Sequence, residues 1–443
     1  MAWHVVIAGG GFGGFYAART LERCLPPQST RVTLVSDVNF MLYTPLLPGA
    51  AAGTLEPRHV VVPLREALDR TDLRIATLVG AEPDRNVVTV RSLEGHEEEL
   101  AYDQLVVATG SVSRTLPVPG LAEHGLGFKS LPDAIELRNR LIRTLEAAET
   151  LDDRDARQAW LTYIFVGAGY AGLEGLAELQ DFAADAIERY PRCRTQGMRW
   201  ILVEAADRVM PEISPQLADF AVRELRGRGI EIKTNTTVEE LTGATATLSD
   251  GEVVPTRTCV WTAGVRPHPV VEHLGLPLDE RGRIAVDATL RVQGRSNVWA
   301  IGDAAAVPDP AKKGREPTPP TAQHAIRQGR RVARNVGATL GNGKVRPFTY
   351  KTLGVFVDMG QGEAVADTLG IRWRGRPAWV LARSYHLAMM PGFKRKARLL
   401  IDWNIQLLFG RDLSELGQLG HPARLEQPTA GGTPAGDRPH VSD

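Results

Sequence analysis

The sequence predicts an α/β protein of two Rossmann-like dinucleotide-binding domains, followed by a C-terminal region of different character. Three observations predict it. The chain opens with an apolar strand, a glycine-rich turn and a helix; the same unit recurs after residue 160; and from about residue 341 the pattern stops. With 443 residues, 43% of them hydrophobic, the chain is long enough for two or three domains with their own cores.

Residues 4–8 read as a buried strand. The turn Gly9-Gly10-Gly11-Phe12-Gly13-Gly14 follows, then a helix to about residue 23 and a strand over 31–35. In a GxGxxG turn the first glycine permits the tight turn, the second lets backbone approach a pyrophosphate, and the third lets helix and strand pack closely. The phosphates then face the free N–H groups of the helix N-terminus. Gly9, Gly11 and Gly14 fit this spacing, as do Gly167, Gly169 and Gly172 between a strand over 162–166 and a helix to about residue 190. A glycine turn used for packing alone is the alternative, and two matches in the right context weigh against it.

Residues 38–55 carry no charge, but Pro45, Pro48, Gly49 and Gly53 interrupt them, so a buried connection is expected, not a membrane span. Residues 102–110, YDQLVVATG, end a strand in Thr109 and Gly110; residues 297–303, NVWAIGD, end another in Gly302 and Asp303. Glu204 ends the second strand of the second unit, where a carboxylate can accept hydrogen bonds from a ribose diol. Ala205 and Ala206 follow it, with no arginine beside it to receive a 2′-phosphate, which favours NADH over NADPH. The corresponding place in the first unit is Ser36.

Basic and acidic side chains balance, 52 against 52, which argues against a nucleic-acid binder. Cys24, Cys193 and Cys259 are far apart and form no metal or CxxxxC spacing. A disulfide scaffold is excluded and a reducing compartment expected. Residues 25–192 hold no cysteine, so a redox dithiol after the first unit is excluded too.

The glycine turns, YDQLVVATG and NVWAIGD together resemble the binding set of two-dinucleotide flavoprotein reductases. That resemblance implies FAD on the first unit, near Gly9, Gly11, Gly14, Ser36, Thr109, Gly110, Gly302 and Asp303. It implies NADH on the second, near Gly167, Gly169, Gly172, Glu204 and Gly264. Residues 40–53 (FMLYTPLLPGAAAG), 178–182 (ELQDF), 321–329 (TAQHAIRQG) and 385–403 (YHLAMMPGFKRKARLLIDW) narrow it. In that order they are similar to type II NADH:quinone oxidoreductases, the single-subunit, non-pumping respiratory dehydrogenases.

The resemblance implies that Ala322, Gln323, Ala325 and Gln328 lie beside flavin and quinone, with Gln323 and Gln328 as hydrogen-bond donors; Arg327 departs from the family's glutamine. It also implies a catalytic role for Glu174 near the nicotinamide. A helix N-terminal acid favoured by the dipole is the alternative for Glu174, and an exposed polar face the alternative for the glutamines. The expected domains are 1–115 with 285–340 for FAD, 116–284 for NADH, 341–420 as a membrane-associating region, and 421–443 as a disordered tail.

Residues 368–401 contain eight basic side chains and no acid, interleaved with Trp373, Trp379, Met389, Met390 and Phe393. Phe393, Ala397, Leu400, Asn404, Leu407 and Leu408 recur at helical spacing. That pattern suits an amphipathic helix on the cytoplasmic side of the cell membrane, meeting it through about residues 368–412. A core-packed helix or a homodimer contact is the alternative. The partner is then a membrane quinone, menaquinone or ubiquinone, with no nucleic acid and no metal. Two other functions stay open at this point: a soluble reductase serving a ferredoxin-like protein, and a non-catalytic NADH-sensing flavoprotein.

Overall fold

A computed structural model describes residues 2–312, 316–350, 352, 354–368 and 370–415. The expected tail at 421–443 lies outside them. The first sheet has seven strands in the order Val298–Ala300, Gln104–Val107, Trp3–Ala8, Thr30–Ser36, Asp72–Glu82, Val87–Ser92 and Glu97–Ala101. The first five run parallel; the last two extend the sheet as a meander, each antiparallel to the strand before it. Val5 to Ala8 are inaccessible, as expected of a parallel strand covered on both faces. Strand order reverses at Trp3–Ala8, so a crevice opens beyond its carboxyl end.

The second sheet repeats the design. Its five parallel strands run Gly125–Gly127, Thr258–Trp261, Thr162–Val166, Arg199–Val203 and Ile230–Lys233, with the reversal at Thr162–Val166. Both glycine turns therefore leave the strand at a switch point. Residues 40–51 form a short strand, a 3₁₀ turn and a short helix, Leu47–Ala51, largely buried.

Helices Phe12–Cys24 and Ala322–Thr339 cross closely. A Cβ on Gly329 would lie 2.3 Å from the Gly13 carbonyl oxygen, so only glycine permits this approach. After it, an antiparallel sheet of Gly354–Asp358, Ala364–Thr368 and Ile371–Arg374 leads to helices Arg376–Met389 and Phe393–Phe409. Among the described residues no helix is long and apolar enough to cross a membrane. Cys193 and Cys259 are buried, Cys24 half-buried, and all three are free thiols.

Candidate functional site

The first glycine turn shows why its residues must be glycine. Gly9 has φ +115° and its Cβ would lie 2.2 Å from the Ala108 carbonyl oxygen; a Cβ on Gly14 would lie 1.8 Å from that of Gly9. Over Gly11 there is open space. The second turn matches: Gly167 has φ +103°, a Cβ on Gly172 would lie 2.0 Å from the Gly167 oxygen, and Gly169 faces open space. Each helix begins there, so N–H groups converge where a pyrophosphate fits.

Around the first crevice, Gly110 and Gly302 both have φ +69°. Asp303 accepts a 2.5 Å hydrogen bond from the Ser111 hydroxyl, and Lys129 Nζ donates to the same hydroxyl at 2.8 Å. The Thr109 hydroxyl is buried without a partner, an orphaned group that a bound molecule would satisfy. Open glycine, orphaned hydroxyl and strand-end aspartate together fit FAD. Ser36 does not contribute as expected. Its side chain is buried beneath Gly10 and its hydroxyl donates to the Val38 carbonyl at 2.7 Å, so it supports the turn from below.

In the second crevice, Glu204 uses both oxygens, accepting from Ala168 N–H at 2.7 Å and Ala206 N–H at 2.8 Å. The carboxylate is thus fixed at the lip of the glycine turn. Gly264, with φ +90° and open space over it, follows the neighbouring strand.

Where the second unit meets the C-terminal sheet, partly buried acids gather round the buried Glu178. Glu174 Oε1 accepts from the Asp358 N–H at 3.0 Å. Burial pushes the Glu174 carboxyl well above its ordinary range, and Asp358 and Glu178 push it further. Burial likewise pushes Glu178 up to about 8, with the Asp358 charge adding to it. Arg383 and Arg411 oppose the rise, and Arg411 pairs with Asp181 at 2.6 Å. Arg383 is held between Trp379 and Trp403, at 4.0 and 5.1 Å from their ring centres. This corrects the expectation of one basic, aromatic face. Arg383 points inward to the acids with two tryptophans, and Arg395 is buried, donating to the Arg58 carbonyl.

Beside the acids lies an aromatic cluster. The Tyr43 hydroxyl lies 3.3 Å from His386 Nδ1, Phe12 stands edge-on to Tyr43, and Phe356 stacks on Tyr385. Burial lowers His386 to about 4, leaving it neutral near pH 7. At the start of helix Ala322–Thr339, Gln323 donates to the Gly354 carbonyl at 3.0 Å and accepts from the Tyr350 hydroxyl at 2.6 Å. Arg327 stacks over Tyr350 at 4.2 Å. Gln328 has a different task from the one expected. It is inaccessible, accepts from Gly302 N–H at 2.7 Å and donates to the Thr318 hydroxyl at 3.0 Å. It positions the Gly302-Asp303 turn from within the core.

The model of the pyridine nucleotide-disulphide oxidoreductase family matches residues 3–329. The chain belongs to that family. Within it, the chain groups with the type II NADH:quinone oxidoreductases. A probable NADH dehydrogenase of Dictyostelium discoideum is 30% identical, over 93% of this chain and 90% of its own length. The type II NADH:quinone oxidoreductase Ndh of Mycobacterium tuberculosis is 31% identical, over 92% of this chain and 88% of its own. The structure of NDH2 from Plasmodium falciparum in complex with NADH superposes with a TM-score of 0.85 at 18% identity, covering 94% of this chain and all of that one, a likeness of fold.

As a pyridine nucleotide-disulphide oxidoreductase without a cysteine between residues 25 and 192, this chain has no dithiol beside the first crevice. Sequence reasoning missed Lys129, Ser111, Asp358 and Arg383. Tyr43, Glu178, Tyr385 and His386 stood in quoted segments without assigned roles. An acid inside the apolar helix Tyr170–Ala186 was the available signal for Glu178.

Proposed function

We propose that this chain is a peripheral membrane enzyme that oxidises NADH and reduces a membrane quinone without pumping protons. Gly9, Gly11, Gly14, Gly110, Gly302 and Asp303 would hold FAD at the first crevice, where it would supply the redox chemistry between NADH and quinone. The protein's own residues bind, orient and manage protons. Glu204 fixes the adenosine ribose of NADH. Gln323, braced by Gly354 and Tyr350, orients the acceptor's carbonyl, and the packed rings of Tyr43, Phe356, Tyr385 and His386 keep water from it.

The observation that carries this reading is the bond from Asp358 N–H to Glu174. It joins the helix of the second glycine turn to the sheet bearing Phe356, and so sets a proton store beside the aromatic cluster. Quinone reduction consumes two protons. Glu174 Oε1 accepts from the Asp358 N–H, which leaves Oε2 to carry a proton, and burial raises the carboxyl's affinity for that proton. Glu178 and Asp358 stand behind it as a reserve.

The membrane side is the helix Phe393–Phe409. Leu399 and Arg395 hold it to the body, while Phe393, Leu400, Ile401, Ile405, Leu407 and Leu408 stay exposed. That apolar face, with Lys394 and Arg398 beside it, would lie in the headgroup region on the cytoplasmic side. Purified protein should carry flavin absorbance and oxidise NADH faster than NADPH when given a short-chain quinone. Flavin binding with negligible quinone-dependent NADH oxidation, or a preference for a ferredoxin as acceptor, would sink this reading.

A further inference from the structure

The groove between helices Phe12–Cys24 and Ala322–Thr339 is lined by arginine on both sides. One cavity of about 480 Å³ is bounded by Tyr16, Arg19, Thr20, Arg23, Arg330 and Arg334. A second, of about 220 Å³, adjoins it through Arg330 and Arg334 and adds Arg327 and Arg331. Proteins usually compensate so dense a set of like charges with carboxylates. Here none of Arg19, Arg23, Arg327, Arg330, Arg331 or Arg334 has an acidic partner among the described residues, although arginines elsewhere pair repeatedly. The nearby Glu22 turns away to accept from Arg70 N–H and from Thr71 N–H and hydroxyl. The charges acting on Tyr16, in the groove wall, are those of Arg330, Arg19 and Arg327.

The two helices pack closely, with Gly329 against the Gly13 carbonyl, and Arg330 lies over the Tyr16 ring at 4.8 Å. Guanidinium groups present forked donors that match phosphate oxygens. We infer that this groove is a binding site for a phosphate-bearing polyanion, distinct from both dinucleotide crevices. The shared chemistry is a phosphate group, carried either by a soluble polyphosphate or by the headgroups of an anionic lipid surface.

The test uses flavin-loaded protein saturated with NAD⁺, so that the second glycine turn is filled. Inorganic pyrophosphate is titrated calorimetrically, and flotation is measured with phosphatidylglycerol vesicles and with neutral phosphatidylcholine vesicles. The variant is Arg19→Gln with Arg334→Gln, and the control is Arg226→Gln, an exposed arginine on another helix. Saturable pyrophosphate binding that weakens about tenfold or more in the double variant, and not in the control, supports a soluble ligand. Selective loss of phosphatidylglycerol flotation without pyrophosphate binding supports a headgroup. Loss equal in variant and control, or no change with either probe, overturns the inference. Flavin content and melting temperature check folding, and Arg19→Lys with Arg334→Lys should retain most of the binding if charge holds the ligand.

Discussion

Glu204 shows how much one carboxylate can decide. Both oxygens accept backbone N–H groups, so the side chain has one orientation at the lip of the glycine turn. Glutamine keeps the shape but presents an NH₂ group to one of those donors, at a cost of about 1–3 kcal/mol. Glu204→Gln should therefore raise KM for NADH roughly tenfold with kcat nearly kept; an unchanged KM in steady-state assays would remove Glu204 from NADH binding. Glu178 poses a different question. Its carboxyl rises from 4.5 to about 8 in the fold, so the native state holds a proton that the unfolded chain has already lost between those values. Stability must then fall as pH climbs through that window. Glu178→Gln removes the titration, and its melting temperature should fall less between pH 5 and pH 8 by about one proton's worth of slope. An identical slope in both proteins would contradict the burial of this acid. Gln328 was misread for a reason of geometry. It follows Gln323 by five residues, about 140° round a helix, so the two cannot face one site. Ser36 was misread because a strand-end hydroxyl looks the same whether it points up at a ligand or down at the next carbonyl.

Among the elements, the strand–turn–helix units were legible because their glycine spacing and apolar runs are local. The short antiparallel sheet of Gly354–Asp358, Ala364–Thr368 and Ile371–Arg374 was not: Gly360 and Gly370 mark its turns, but strands of four or five residues carry too little alternation to be read. Arg383 was counted with the basic face, yet it sits four residues from Trp379 on one helix side and turns inward with it. The crossing of helices Phe12–Cys24 and Ala322–Thr339 carries consequences at both ends. One helix bears the first glycine turn, and the other holds Gly302 through Gln328. A methyl group at Gly329 would meet the Gly13 carbonyl at 2.3 Å and force the pair apart. Gly329→Ala should cost about 1–3 kcal/mol as overpacking does and reduce the flavin retained per chain. Wild-type melting and full flavin content would show that the contact relaxes without moving either turn.

For the whole molecule, a net charge of zero conceals a division: residues 368–401 carry +8, leaving −8 for the rest. The structure divides that segment again. Arg383 and Arg395 serve the interior, whereas Lys394 and Arg398 stay in solvent beside the apolar face of the last helix. A truncation from residue 385 would be a poor test of that face, because it also removes Tyr385, His386 and Arg411 from the interior. Substitution on the exposed side separates the two roles. Leu400, Leu407 and Leu408 are 45%, 79% and 72% exposed, so glutamate at all three disturbs little packing. Fully burying a leucine in an apolar phase is worth about 1.5–3 kcal/mol, and a buried carboxylate is penalised. The triple variant should therefore lose most of its sedimentation with lipid vesicles while its melting temperature holds. Turnover with a soluble short-chain quinone should persist, and turnover with a quinone dissolved in the bilayer should collapse. Retention of both vesicle sedimentation and turnover with the bilayer quinone would place the membrane contact on another surface.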